Sequence, residues 1–322
     1  MFQKVFLEKV EKMLPENNSL NEAVAMALEI SYDAAHRRTS LKSKFSLEES
    51  IKLARYFNLS LDELFGLTEK QFVSVEKTKE ITNEVELQQY FENAYKSLLP
   101  LLNKKGCQIY YSAKDIPIFY TLSNNRLSQF KFYVWLKLLD KQFRDKSFDE
   151  YYPKLSTIKS AKKLGELYQD LTTIEIWDIT TINSTLKQIH FYYKAGQLKV
   201  ETAMQLCMEL KELLNEISLK VVAKKQRFKL YYNELLIMNN NIFISTPERE
   251  SLYVPFLMLS YYQTSDKRVC SQAKKFFNKQ LKNSKLLNTS GEKEQNTFYN
   301  KMMGKVNALE QLIRAENILE FE

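Results

Sequence analysis

The chain has few of the residues from which most catalytic and metal-binding motifs are made. Of its 322 residues only two are histidine, His36 and His190, and three are cysteine, Cys107, Cys207 and Cys270. The histidines are far apart and neither stands at a metal-ligand spacing, and His190, within Gln188-Ile-His-Phe-Tyr-Tyr, reads as a satisfied, half-buried side chain. Three widely separated cysteines form neither a zinc pair nor a redox dithiol, and a reducing cytoplasm is the simplest setting for them. The six glycines are scattered, with no Gly-rich run ahead of a helix to cradle phosphate, so nucleotide hydrolysis is not expected. No serine or cysteine sits in a nucleophile motif, and the carboxylates form no acid/base signature. The expectation is a protein that is not an enzyme and has no cofactor or metal.

Long apolar runs are missing as well. None approaches the roughly 20 residues needed to span a bilayer. The opening Met1-Phe-Gln-Lys-Val-Phe-Leu-Glu-Lys alternates charge with apolar side chains and lacks a signal peptide's core. No membrane partner and a cytoplasmic location are expected.

What is present is a hydrophobic fraction of 44% against 27% charged residues, the balance of a folded chain. Scarce glycine and proline, six of each, favour helix. A net charge of +8 suits an anionic partner without distinguishing nucleic acid from a membrane surface. The length fits one small domain and one larger one.

The first 66 residues read as five short helices. Phe2, Val5, Phe6 and Val10 follow helical spacing up to Pro15. Ser19, with Glu22 three residues on, opens a second helix carrying Leu20, Val24, Ala27 and Leu28. After the tight Glu29-Ile-Ser31 turn, Ser31 caps a short polar helix from Tyr32 to Arg38 with Ala34 and Ala35 inward. Ser46 and Glu49 form another capping box, opening a helix with Leu47, Ile51, Ala54 and Phe57 on its apolar stripe. Leu61-Asp-Glu-Leu-Phe65 is the fifth helix, closed by Gly66.

This order, with the phrase Ser46-Leu-Glu-Glu-Ser-Ile-Lys-Leu-Ala-Arg-Tyr-Phe-Asn-Leu-Ser-Leu-Asp-Glu-Leu-Phe-Gly66, resembles the Xre/Cro (phage-repressor-like) helix-turn-helix family. The resemblance covers about a fifth of the chain. It implies a transcriptional regulator whose helix Tyr32–Arg38 lies in the major groove of double-stranded DNA. The implied contact set is Ser31, Tyr32, Asp33, His36, Arg37, Arg38, Lys42 and Lys44. Physical chemistry supports the same residue types: an arginine fork matches guanine O6 and N7, and Lys42 and Lys44 suit phosphate. His36 fits either a surface position near DNA or a helix-packing role. Two positions depart from the family pattern. Glu29 stands where a glycine is common, and an apolar position late in the recognition helix falls on Arg38 or Thr39.

The expected domain plan is a DNA-binding domain over 1–66, a polar linker over 67–86 and a larger domain over 87–322. The fold class expected is mainly α: the five-helix bundle, then a predominantly helical domain with a small β-hairpin. Helices are expected over about 86–102, 130–139, 182–195, 200–224 and after Thr289-Ser-Gly-Glu292. The apolar helix 200–224 fits a core position or a contact between subunits. Short extended segments are read at Cys107–Ser112 and Ile174–Asp178. The hairpin is placed near 228–246, its turn at Asn239–Asn241, because asparagine tolerates positive φ.

A basic stretch contains Lys267, Arg268, Lys274, Lys275, Lys279, Lys282 and Lys285 with no acid. It fits a second DNA-backbone surface or the solvated face of an amphipathic helix. The region after the linker looks like helical C-terminal regions of uncharacterised bacterial helix-turn-helix regulators, a resemblance that brings no known ligand. The functional expectation is a homodimeric regulator whose larger domain self-associates and answers to an unidentified effector or protein partner. The alternatives are a protein-interaction module and a DNA-associated defence or antitoxin-like component acting through a partner.

Overall fold

The computed structural model describes residues 2–15, 18–65, 73–223, 227–235 and 239–319. The chain separates into two units, residues 1–75 and 76–322. The Gly66 cap and residues 67–72 of the expected linker lie outside the described residues, and from Glu76 onward the chain belongs to the second unit.

In the first unit α1 (Phe2–Glu11), α2 (Leu20–Leu28), α3 (Tyr32–Thr39), α4 (Leu47–Tyr56) and α5 (Leu61–Phe65) surround one core. Phe6, Leu7 and Val10 of α1 meet Val24 and Leu28 of α2, Ala35 of α3, and Leu53 and Ala54 of α4. Ser46 and Glu49 form the reciprocal capping box at α4. Ser19 precedes α2 without capping it through its side chain. The apolar stripe of α4 is also rotated from expectation: Leu53 and Ala54 are buried, whereas Leu47 and Ile51 are exposed.

The second unit is not the mainly helical domain with a small hairpin that the composition suggests. It is an α/β fold built on a mixed sheet. Its elements run β1 (Glu76–Lys77), α6 (Glu84–Leu98), β2 (Gln108–Ala113), α7 (Arg126–Leu139), α8 (Leu155–Asp170), β3 (Thr173–Trp177), α9 (Asn183–Lys194) and α10 (Val200–Val222). They continue with β4 (Phe228–Tyr232), β5 (Ile242–Ser245), β6 (Glu250–Leu257), β7 (Ser260–Thr264), α11 (Lys267–Lys282), β8 (Lys285–Leu286) and α12 (Glu292–Leu319). Lys224, the expected end of the long helix, lies outside the described residues. Among the described residues the sheet has eight strands in the order β1-β7-β6-β5-β2-β3-β4-β8.

Strands β2, β3 and β4 are parallel neighbours, and the strands flanking them are antiparallel. Parallel pairing requires a crossover. Helices α7 and α8 supply it from β2 to β3, and α9 and α10 from β3 to β4. The expected hairpin at 228–246 is therefore corrected. Both edges of β4 are taken by β3 and β8, and both edges of β5 by β2 and β6, so the two strands are never neighbours. Asn239–Asn241 is not a hairpin turn: Asn240 Oδ1 accepts the Asp115 amide at 2.9 Å and the Asn241 carbonyl accepts the Ser112 amide at 3.0 Å. Residues 236–238 of that segment lie outside the described residues.

Alternation along the strands divides the core. Ile109, Tyr111, Ala113, Trp177, Phe228 and Leu230 point to the face covered by α6 to α10 and α12. Tyr110, Ile174, Ile176 and Phe243 point to the other face, where Cys270 and Phe277 of α11 pack on them. The long helix α10 buries Leu206, Leu210, Leu213, Leu214 and Ile217 in the first of these cores, leaving Met208, Leu219 and Val222 exposed. No described helix is long and apolar enough to cross a membrane.

Candidate nucleic-acid interface

The turn between α2 and α3 determines how the candidate recognition helix leaves its support. Glu29 occupies the left-handed region at φ 56°, ψ 43°. Its amide donates to the Met26 carbonyl at 3.3 Å and the Ile30 amide reaches back to Ala25 at 3.0 Å. These two bonds form a Schellman closure, whose left-handed residue is usually glycine. The one family position at which the turn sequence departs is thus the position where the backbone most favours glycine.

Helix α3 begins at Ser31, whose Oγ accepts the Ala34 amide at 3.3 Å. Asp33 lies in its first turn and His36, Arg37 and Arg38 in its last, matching the helix dipole at both ends. Ala35 is buried against the core. Ser31, Tyr32, Asp33, His36 and Arg37 are exposed, as are Lys42 and Lys44 in the following loop. Between Ser31 and Phe45 the chain carries four bases and one acid. Arg38 is paired with Glu49, which leaves Arg37, Lys42 and Lys44 exposed against Asp33, a local excess of positive charge although residues 1–66 hold ten acids and nine bases.

The structure separates Arg37 from Arg38. Arg37 is exposed and its guanidinium has no hydrogen-bond or ion-pair partner among the described residues. Arg38 turns inward. Its Nη2 donates to Glu49 Oε1 at 2.6 Å and its Nη1 to the Ala34 carbonyl at 3.0 Å. The bond from Arg38 is the main reason that the Glu49 carboxyl is held below its ordinary range, against the opposing effect of burial. Arg38 thus braces α3 on α4, and Arg37 faces solvent.

Two residues outside the expected set build this surface. Asn21 of α2 donates from Nδ2 to Tyr32 Oη at 3.2 Å, lies 3.4 Å from His36 Nδ1, and accepts from Thr39 Oγ1. One amide thereby sets the orientation of three side chains along one edge of α3. His36 faces solvent and also joins this hydrogen-bond network. Gln3 of α1 holds the loop bearing Lys42 and Lys44. Its Nε2 donates to the carbonyls of Arg38 at 2.9 Å and Ser43 at 2.8 Å, and its Oε1 accepts the Phe45 amide at 3.1 Å. Asn21 lies 11 to 18 residues from its partners and Gln3 35 to 42 from its own, across helix boundaries, so neither carried a sequence signal.

The second basic stretch forms α11. Lys267, Arg268, Lys275, Lys279 and Lys282 are exposed, while Lys274 is half-buried and pairs with Glu250 at 2.6 Å. Cys270, Ala273, Phe277 and Leu281 line the opposite side and pack on the sheet. The helix is amphipathic, and most of its charge stands in solvent. Among the described residues no group of three or more His, Cys, Asp or Glu is placed to hold a metal ion. His190 is half-buried with its Nε2 3.5 Å from Glu316 Oε2. All three cysteines are buried and free, and burial pushes the Cys207 thiol up to about 12.

Compared with known proteins, the chain matches no family model, no curated protein and no solved structure. Its function is therefore argued from its own residues.

Proposed function

We propose that the protein is a sequence-specific DNA-binding transcriptional regulator that reads major-groove half-sites through α3, as a homodimer. The observation that carries this reading is the division of labour on α3. Arg38 is fixed inward on Glu49, Arg37 is exposed, and Tyr32 and His36 are oriented by Asn21. A rigidly mounted helix with a free arginine fork has what direct readout of guanine requires. Lys42 and Lys44, on a loop pinned by Gln3, are suited to phosphate contacts that fix register.

The resemblance to Xre/Cro helix-turn-helix proteins supports the same reading. The test is selection from random duplex DNA on the full-length protein, followed by titration of the enriched duplex against a scrambled one at fixed salt. An enriched palindrome supports a dimeric reader, because operator symmetry mirrors protein symmetry. Equal affinity for selected and scrambled duplexes overturns the proposal.

A further inference from the structure

The second unit holds a cavity of about 300 Å³ between the sheet and α6. That volume lies at the lower end of the range for small-molecule sites. Ile109 of β2 and Ile242 and Ile244 of β5 form its floor, on the face of the sheet toward the main core. Phe119 and Tyr168, stacked at 3.9 Å with an interplanar angle of 7°, make a flat aromatic wall. Tyr90 and Ala94 of α6 form the roof.

The polar groups here are neutral and aimed inward from several elements. Tyr90 on α6, Tyr253 on β6 and Tyr261 on β7 all line the space, and burial pushes each phenol above its ordinary range. The Tyr261 hydroxyl is bonded to Tyr111. Those of Tyr90 and Tyr253 have no hydrogen-bond partner among the described residues. Asn93 and Gln263 add amides at the edge.

Charge is confined to the mouth, where a strap of residues 78–82 crosses toward α6. Thr78 anchors the strap to β7, donating its amide to the Tyr261 carbonyl at 3.0 Å and accepting the Tyr261 amide at 2.8 Å. Glu86 of α6 ties down the other end, accepting from Thr82 Oγ1 at 2.7 Å and pairing with Lys79 at 3.2 Å. Lys79 is thereby matched to Glu86, Glu80 is the remaining charged lining residue, and no charged side chain belongs to the floor, the aromatic wall or the roof.

We infer that this cavity binds a neutral small molecule with a flat aromatic or aliphatic body and one or two hydrogen-bonding groups. The body lies on the isoleucine floor against the Phe119–Tyr168 wall, and its polar groups meet the Tyr90 and Tyr253 hydroxyls. Strap residues 78–82 follow directly on β1 within the second unit. The site stands whether or not α3 binds DNA.

The experiment is a fluorescence titration of the full-length protein with N-phenyl-1-naphthylamine, a neutral apolar probe, alongside Ala94→Trp, which fills the cavity from its roof. Wild type is expected to show saturable single-site enhancement. Ala94→Trp is expected to bind at least tenfold more weakly with an unlowered unfolding midpoint. Amide exchange gives a second reading that needs no variant: the probe should slow exchange in residues 78–98 and leave α3 unchanged. Non-saturable enhancement, equal binding by a folded Ala94→Trp, or protection confined to segments that do not line the cavity overturns the inference.

Discussion

Arg38 Nη2 and Glu49 Oε1 lie 2.6 Å apart, with each side chain about one-fifth exposed, and this bond divides two adjacent arginines into different tasks. Arg37→Ala is expected to leave thermal stability unchanged. If it makes a bidentate base contact, it weakens binding to the selected duplex by about 1 to 3 kcal/mol and relaxes preference at one base pair. Arg38→Ala is expected to lower stability by about 1 to 2 kcal/mol, since it removes a charge-assisted bond from a partly buried carboxylate. Unfolding midpoints and anisotropy titrations on both variants check the pair of outcomes. Stability loss in Arg37→Ala instead of Arg38→Ala would reverse the assignment.

The same bond gives the first unit an acid-sensitive contribution. The Glu49 carboxyl is held below its ordinary value of 4.5, first by the Arg38 bond, then reinforced by the Ser46 amide. A group whose folded value is depressed releases its proton more readily in the folded state. Its stabilising effect is complete above the unfolded value and is lost as pH falls through the folded one. Amide protection factors across α3 and α4 in the full-length protein, taken relative to the intrinsic exchange rate at each pH, should fall below about pH 4.5. Glu49→Gln should exchange faster at pH 7 and show a flatter dependence below that point. Parallel pH profiles for the two proteins would remove Glu49 from the acid response.

Glu29 at φ 56° carries a cost that glycine does not. A side chain in the left-handed region is disfavoured by about 1 kcal/mol, and the Schellman closure here makes that conformation obligatory. Glu29→Gly is expected to stabilise the first unit by up to about 1 kcal/mol, offset in part by the greater freedom of glycine in the unfolded chain. Slower amide exchange in α2 and α3 is the readout. Faster exchange in the variant would mean that the Glu29 side chain contributes more than its backbone costs.

The starts of α3 and α4 were legible because their signals are local. Ser31 and Ser46 cap helices at the expected residues, and each acts within three positions of itself. The sheet was not, because its signals are either hidden or displaced. Strand β3, Thr173-Ile-Glu-Ile-Trp177, reads as a short extended segment, but it is buried at every position and no inside–outside alternation marks it as the middle of a sheet. The β6–β7 hairpin turns at Met258-Leu259, with Leu259 at φ 57° and neither glycine nor asparagine to announce it. Asparagines at 239–241 gave the turn signal instead, and they bond to β2 and to the residues that follow it. At the candidate interface, residue types on α3 were readable. The inward turn of Arg38 depends on Glu49, 11 residues away on a different helix.

Glu175 offers a test of what strand β3 contributes. It is fully buried, and its Oε1 accepts from Tyr120 Oη at 2.7 Å and Tyr168 Oη at 2.9 Å, while Oε2 accepts from Trp177 Nε1 at 2.8 Å. Burial raises the carboxyl, and these three donors oppose it. In Glu175→Leu the phenols can rotate toward other acceptors, but the indole can only donate and is left unpaired. That single orphaned buried donor costs about 1 to 3 kcal/mol, and a loss of that size is expected in denaturant unfolding. Glu175→Gln keeps one acceptor oxygen and should lose less. Buried polar clusters are sometimes replaced by apolar side chains without penalty. A Glu175→Leu protein as stable as wild type would place this network in that class, and the strand would then owe its position to Ile174, Ile176 and Trp177 alone.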